Sequence, residues 1–157
     1  MSMKKIFLVT VTILFALQSF AQIISNSPQK DIKTKNVPDD AVSAFSTKFG
    51  SDVIPKWEHK GSNYFAAFEI DKVNYEAEFS EEGGWLQTTK YVTEADLPDA
   101  VNELLFSGDY HDWTKADFAF IQKTTGENMY RVSVIQEDKR RSLLISPEGK
   151  VMDSDKL

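Results

Sequence analysis

The sequence predicts an α+β fold of two tandem units, each with one helix packed on a four-stranded antiparallel sheet. A helix-start motif occurs twice, each copy precedes four short alternating segments, and apolar residues occupy one side of the first three segments in each copy. A helix that covers one face of such a sheet buries the apolar stripes of both elements. We expect the first unit at residues 37–95 and the second at residues 96–157.

Each predicted helix begins at a proline followed by an acidic residue, in Val37-Pro38-Asp39 and again in Leu97-Pro98-Asp99. Proline is favoured at a helix start, and a carboxylate in the first turn interacts favourably with the helix dipole. Gly50 and Gly108 are the expected stop signals. The apolar residues in between recur at helical spacing and are Ala41, Val42, Phe45 and Phe49 in the first copy, and Val101, Leu104 and Leu105 in the second.

Four alternating segments separated by turn residues follow each helix, a pattern typical of an antiparallel meander. We expect strands near residues 52–60, 63–70, 73–80 and 85–93, and near 115–124, 129–137, 140–146 and 150–154. Successive side chains of a strand point to opposite faces, so alternation also identifies the side that meets the helix. The residues expected on that side include Trp57, Tyr64, Ala66, Phe68, Tyr75, Ala77 and Phe79, then Phe118, Phe120, Tyr130, Val132, Val134, Leu143 and Ile145.

The N-terminus has the order of a secretory signal peptide. Lys4 and Lys5 precede an apolar run over residues 6–17, and small residues follow up to Ala21. About 20 apolar residues are needed to cross a bilayer as a helix, and this run is shorter. We therefore expect a signal peptide over residues 1–21, cleavage after Ala21, a flexible leader over 22–36, and a periplasmic or secreted protein without stable membrane insertion.

Composition and motifs exclude several classes of function. With 18 Lys and Arg against 24 Asp and Glu, the chain has a formal net charge of -6, which argues against nucleic-acid binding. The absence of cysteine and the presence of only two histidines, His59 and His111, predict no disulfide and no zinc site. We expect no metal and no cofactor.

Catalytic signatures are also missing from the sequence. It contains no G-x-S-x-G elbow, no glycine-rich phosphate loop and no H-E-x-x-H helix. His111 and the adjacent Asp112 are a weak pair for acid–base work because neighbouring residues rarely face one substrate. A protein that is not an enzyme is the expectation, and an enzyme with an unfamiliar carboxylate site is the less favoured alternative.

The ordered motifs of the chain are similar to those of a known family. They run from Val37-Pro38 and Ala41-Val42 through Trp57-Glu58, Tyr64-x-Ala66-x-Phe68, Ala77-x-Phe79 and Gly83-Gly84-Trp85 to Leu97-Pro98. In this order they resemble the PepSY-like, beta-lactamase-inhibitor-like domains of exported Bacteroidota proteins. The resemblance implies a pair of α+β units in the manner of beta-lactamase inhibitor proteins, with a curved sheet surface opposite the helices. It also implies binding or inhibition of secreted peptidases.

The sheet side away from the helices is the predicted binding surface. Aromatic clusters on a sheet commonly mark interaction sites because they bring a large contact area at low entropic cost. We therefore predict an exported module that binds a protein or peptide and inhibits or regulates a secreted enzyme. The alternative is a structural or homo-oligomeric envelope protein with no inhibitory role, whose aromatics pack against the partner unit, against the leader or within a homodimer. The residues expected at the surface are Ile54, Phe65, Trp85, Tyr91, Glu76, Glu78, Arg131 and Arg140.

Overall fold

The computed structural model describes residues 30–33 and 36–156, in which nine strands form one antiparallel sheet and two α-helices pack on it. A short 3-10 turn over Glu94–Asp96 precedes the second helix. The strands lie in the sheet in chain order, so every neighbour is also the next strand in sequence. The elements are β1 (Lys30–Ile32), α1 (Asp39–Phe49), β2 (Lys56–Lys60), β3 (Asn63–Ile70), β4 (Val73–Phe79), β5 (Trp85–Val92), α2 (Asp99–Phe106), β6 (Thr114–Lys123), β7 (Asn128–Gln136), β8 (Lys139–Ile145) and β9 (Val151–Lys156).

Both helices cover the same face of the sheet. A row of directly opposite residues crosses the sheet from β4 to β8, and such residues point to one side. The row begins at Tyr75, which packs in the core under α1, and continues through Lys90 and Phe120. It ends at Tyr130 and Ile145, which pack in the core under α2. The opposite face of the same strands is therefore the side that neither α1 nor α2 covers.

Each helix closes its own hydrophobic core. Phe45 of α1 lies at the centre of the first core, with its ring 5.0 Å from that of Phe68 and 5.7 Å from that of Trp57. In the second core Val101 and Leu105 of α2 pack on aliphatic residues of β7 and β8. The predicted inward residues are confirmed, because the buried members are Trp57, Ala66, Phe68, Ala77 and Phe79 in the first core and Val132, Val134, Leu143 and Ile145 in the second.

One hairpin turn in each half fits closely against the start of a helix. Gly83, between β4 and β5, donates its backbone N–H to the Ser80 carbonyl at 2.9 Å, and Gly149, between β8 and β9, does the same to Ser146. A Cβ on Gly83 would lie 2.5 Å from the Ala41 nitrogen, and a Cβ on Gly149 would lie 2.5 Å from the Ala100 oxygen. Glycine is therefore required at both turns, where backbone meets backbone.

Two sequence expectations need correction at the start of the sheet. The segment expected to be a flexible leader contains β1, whose backbone pairs with Trp57–His59. The first predicted strand is also shorter than expected, since it begins at Lys56 and not near residue 52. Pro55 precedes it and has no N–H to donate to a sheet ladder. The expected signal peptide lies outside the described residues.

The continuous sheet is a further difference from two separate four-stranded sheets. Six residue pairs, from Gln87 opposite Lys123 to Val92 opposite Phe118, join β5 to β6. The surface opposite the helices therefore runs across both halves. In residues 30–33 and 36–156, neither helix has the length and apolar character to cross a membrane.

Replacing Gly83 by alanine should destabilise the protein by about 3 kcal/mol, because the new Cβ meets backbone atoms and φ is positive. Gly126 is a matched control: its φ of +85° is close to the +88° of Gly83, but nothing lies within 4 Å of its Cβ position. Gly126→Ala should cost only about 1 kcal/mol. Urea unfolding measures both, and equal losses would contradict the role of the close approach.

Candidate functional site

The candidate site is the sheet face that neither α1 nor α2 covers, which we call the helix-free face. It consists of the side chains of β2–β8 that alternate away from α1 and α2. Its centre holds short residues between longer neighbours, and Thr89 lies between Glu76 and Ile121 while Ala119 lies between Tyr91 and Arg131. Both short residues are buried, although the two helices lie on the other side. Ile121 is buried as well, so the half-buried Glu76, Tyr91 and Arg131 define the accessible surface here.

A buried lysine holds two carboxylates together at the β2 end of the helix-free face. The Lys60 ammonium lies 3.4 Å from Glu58 Oε2 and 3.9 Å from Glu76 Oε2, and the Lys60 side chain is 8% exposed. It also lies 4.6 Å from the centre of the Phe65 ring. Removal of one member of a buried ion pair leaves an uncompensated charge, so these groups depend on one another. The cluster is a fixed feature of the surface.

Glu78 is held differently, by two neutral amides. Asn63 Nδ2 of β3 donates to Glu78 Oε1 at 2.7 Å, and Gln87 Nε2 of β5 donates to Oε2 at 2.7 Å. The carboxylate is therefore fastened from the strands on both sides. Among the side chains that the structure describes, no basic group forms an ion pair with it.

Electrostatic interactions connect this acidic part of the face to Arg131 on β7. Burial raises the pKa of Glu76 above its ordinary value, while the nearby cations Lys60 and Arg131 act against that rise. Burial also raises the pKa of Tyr91; the Glu76 charge adds to the rise, and the nearby Arg131 opposes it. Glu76, Tyr91 and Arg131 are thus electrostatically coupled across β4 to β7.

Six of the eight predicted surface residues lie on the helix-free face. Phe65 is directly opposite Glu58 on one side and Glu78 on the other. Arg140, opposite Ile135 on β7, is exposed at the far end of the face. The six are Phe65, Glu76, Glu78, Tyr91, Arg131 and Arg140.

Trp85 and Ile54 are placed elsewhere. A register irregularity next to Glu78 puts Trp85 opposite Phe79, which turns the indole toward the first core. Lys48 of α1 lies 3.6 Å above the indole, and the indole N–H donates to Thr88 Oγ1 at 3.0 Å. Ile54 is 89% exposed but precedes β2, so it does not belong to the sheet face.

Sequence reasoning missed three residues that organise the face: Lys60, Asn63 and Gln87. Lys60 was detectable in principle, since it follows Glu58 by two positions and alternation places both on one side. Gln87 was detectable in the same way, since alternation from Tyr91 places it on the helix-free face. Its hydrogen bond to Glu78 was not predictable, because an amide that fastens a carboxylate leaves no pattern in the sequence.

Within residues 30–33 and 36–156, the histidines and carboxylates do not converge on a metal-binding arrangement. In the part of the chain that the structure describes, no group of three or more His, Asp or Glu side chains could hold a metal ion. The ring of His59 lies 4.6 Å from that of Tyr64, and His111 Nδ1 lies 3.0 Å from the Gly108 oxygen. Each imidazole thus contacts a nearby residue of its own segment, His59 the Tyr64 ring and His111 the Gly108 carbonyl.

Comparisons with known proteins support the same fold. The profile of a family described as "Putative beta-lactamase-inhibitor-like, PepSY-like" matches residues 62–153, as the motif resemblance predicted. Three Bacteroides structures are similar, each over 76% of this chain. A DUF2874 family protein from Bacteroides uniformis has 18% identity, a TM-score of 0.69 and 89% of its own length covered. The protein from Bacteroides eggerthii described as "putative periplasmic" has 16% identity, a TM-score of 0.68 and 88% of its length covered. A BLIP-like protein from Bacteroides fragilis has 24% identity, a TM-score of 0.66 and 86% of its length covered.

No curated protein shows significant similarity to the chain. Because each of these structures is less than 25% identical to the chain, the comparison establishes a shared fold and nothing more.

Trp85→Ala should lower the free energy of unfolding by about 2 kcal/mol, since it removes packing on the first core together with the Lys48 contact. Tyr91→Phe, on the helix-free face, keeps the ring and should cost less than about 1 kcal/mol. Urea unfolding of both variants tests the assignment of faces. An equal, small loss would place Trp85 outside the core.

Glu76→Gln should change how stability depends on pH. The folded protein binds the Glu76 proton more tightly than the unfolded chain, so this residue's contribution to stability falls as pH rises above its ordinary pKa of 4.5. The difference in unfolding free energy, wild type minus variant, should therefore decrease between about pH 4.5 and pH 7. Urea unfolding at several pH values measures it, and a difference that grows over this range would contradict the raised pKa.

Proposed function

We propose that this chain, which belongs to the PepSY-like, beta-lactamase-inhibitor-like family, is an exported, non-catalytic module that binds a protein or peptide. The helix-free face is the proposed binding surface. The bound partner is an exported enzyme that the module inhibits or regulates. The site of action is the periplasm or the cell exterior.

The observation that carries this proposal is a pair of fixed polar clusters on the helix-free face, one around Glu78 and one around Lys60 and the Phe65 ring. Glu78 is fastened by two amides, and the Lys60 ammonium lies between two carboxylates and the Phe65 ring. A surface whose side chains are already fixed loses less conformational entropy on binding than a mobile one. Tyrosine and arginine, present here as Tyr91 and Arg131, are enriched among the residues that dominate binding energy.

The proposal includes a tandem origin for the two halves, which would make them partners in one surface. In support, the Ser80–Gly84 turn and the Ser146–Lys150 turn have the same pair of backbone hydrogen bonds. The hairpins β3–β4 and β7–β8 both have a positive φ at the first turn residue, Asp71 and Glu137. Joined through β5 and β6, the two halves present one strand surface to a partner.

The description of the Bacteroides eggerthii relative as periplasmic supports the export component of the proposal. The sequence pattern of residues 1–21 supports it independently. The fold shared with the BLIP-like protein of Bacteroides fragilis supports the binding component.

Photo-crosslinking tests the proposal directly. The residue p-benzoylphenylalanine replaces Phe65 or Tyr91 on the helix-free face, or Thr47 on the exposed side of α1 as a control. Illumination in cells of the native host should link both sheet positions, but not position 47, to one exported protein. The purified partner is then assayed for activity with and without this protein.

Tyr91→Ala should weaken binding of that partner by more than about tenfold while the protein stays folded. Isothermal titration with the purified partner measures the change. If positions 65 and 91 link only to a second copy, the protein is a homodimer and the partner proposal is wrong. Capture through position 47 alone would move the binding surface to the helices.

A further inference from the structure

We infer that Glu78 anchors an arginine side chain of the bound partner, with the guanidinium lying against Phe65. The inference rests on the proposed function, because it specifies the chemistry that the helix-free face recognises. It follows from how the carboxylates of this face are partnered, from the aromatic ring beside them, and from the distribution of charge along the sheet.

Glu78 differs from its two acidic neighbours in the kind of partner it has. Glu58 faces Lys60 and Lys56, and Glu76 faces Lys60 and Arg131, so the charge of each is offset by cations. Glu78 receives hydrogen bonds only from neutral amides among the described side chains. Its position is fixed while its charge is not neutralised. A cation supplied from outside would complete this arrangement.

The carboxylate also retains the capacity to accept more hydrogen bonds. An ionised carboxylate has about four acceptor sites, and the two amides occupy one on each oxygen. A guanidinium can donate to both oxygens at once through its planar fork. Because Asn63 and Gln87 already hold the carboxylate, the ordering of its side chain is complete before the cation arrives.

Phe65 makes the same place suitable for the flat face of a guanidinium. It lies directly across from Glu78 on the neighbouring strand, on the same side of the sheet. The Lys60 ammonium is already 4.6 Å from the ring centre, which shows that the ring accommodates a cation. That ammonium is buried and makes no hydrogen bond, so the existing contact is electrostatic. Arginine stacks on aromatic rings more often than lysine does.

Charge along the sheet directs a cation to this end. In β2–β4 the helix-free face has carboxylates at four positions and ammonium groups at two, whereas in β6–β8 it has three basic groups and one carboxylate. A basic side chain is therefore attracted to the first half, and an acidic one to the second. The groups counted are Glu58, Glu69, Glu76, Glu78, Lys56 and Lys60 in the first half, and Lys123, Arg131, Arg140 and Asp117 in the second.

NMR titration with Nα-acetyl-arginine amide tests the inference, with the citrulline analogue as an uncharged probe of the same shape. The arginine probe should shift the side-chain amide signals of Asn63 and Gln87, and the citrulline probe should not. Glu78→Gln should weaken arginine binding by about tenfold or more, since a charge-assisted pair is lost. Glu69→Gln, an exposed carboxylate on the same face, is the matched control and should bind as the wild type does.

Phe65→Leu is a second variant that keeps apolar bulk and leaves Glu78 in place; it should also weaken arginine binding. Equal binding of citrulline and arginine, or equal losses in Glu78→Gln and Glu69→Gln, would overturn the inference. If a partner linked through positions 65 and 91 binds Glu78→Gln as tightly as the wild type, the inference fails while the proposed function stands. If neither position captures a partner, the proposed function itself fails.

Discussion

The placement of both helices on one face of a single sheet is the constraint on which the rest of the structure depends. This placement buries the apolar side chains of alternate strand positions under α1 and α2. The polar side chains at the other positions contact side chains of the neighbouring strands. Charged and amide groups on that second face consequently bond to one another, as Glu78 does to Asn63 and Gln87. Such a network specifies a surface more strictly than scattered solvated charges would.

The architecture was largely predictable because its signals are local. Alternation identified the inward residues of both halves, and the Pro-Asp motifs located both helix starts. The connection between halves was not predictable, since pairing of β5 with β6 depends on tertiary contact that leaves no periodic signal. The strand at Lys30–Ile32 was missed for a similar reason: three residues are too few to show alternation.

The candidate site was predicted less completely than the fold. Positions in unbroken strands, such as Phe65 and Arg131, were assigned to the correct face. Trp85 was not, because one extra residue next to Glu78 reverses alternation on β5, and the sequence does not mark where that residue is inserted. Trp85, which was expected to contact a partner, therefore packs on the core beneath α1.

The ladder between β5 and β6 determines what happens if the halves are separated. Cutting the chain before α2 would leave each fragment with a long strand whose backbone N–H and C=O groups have lost their partners. Freshly exposed sheet borders of this kind recruit other strands and promote aggregation. Although each half has its own core, neither half should stay soluble as a separate fragment. A gene fusion or truncation would therefore have to preserve the whole sheet.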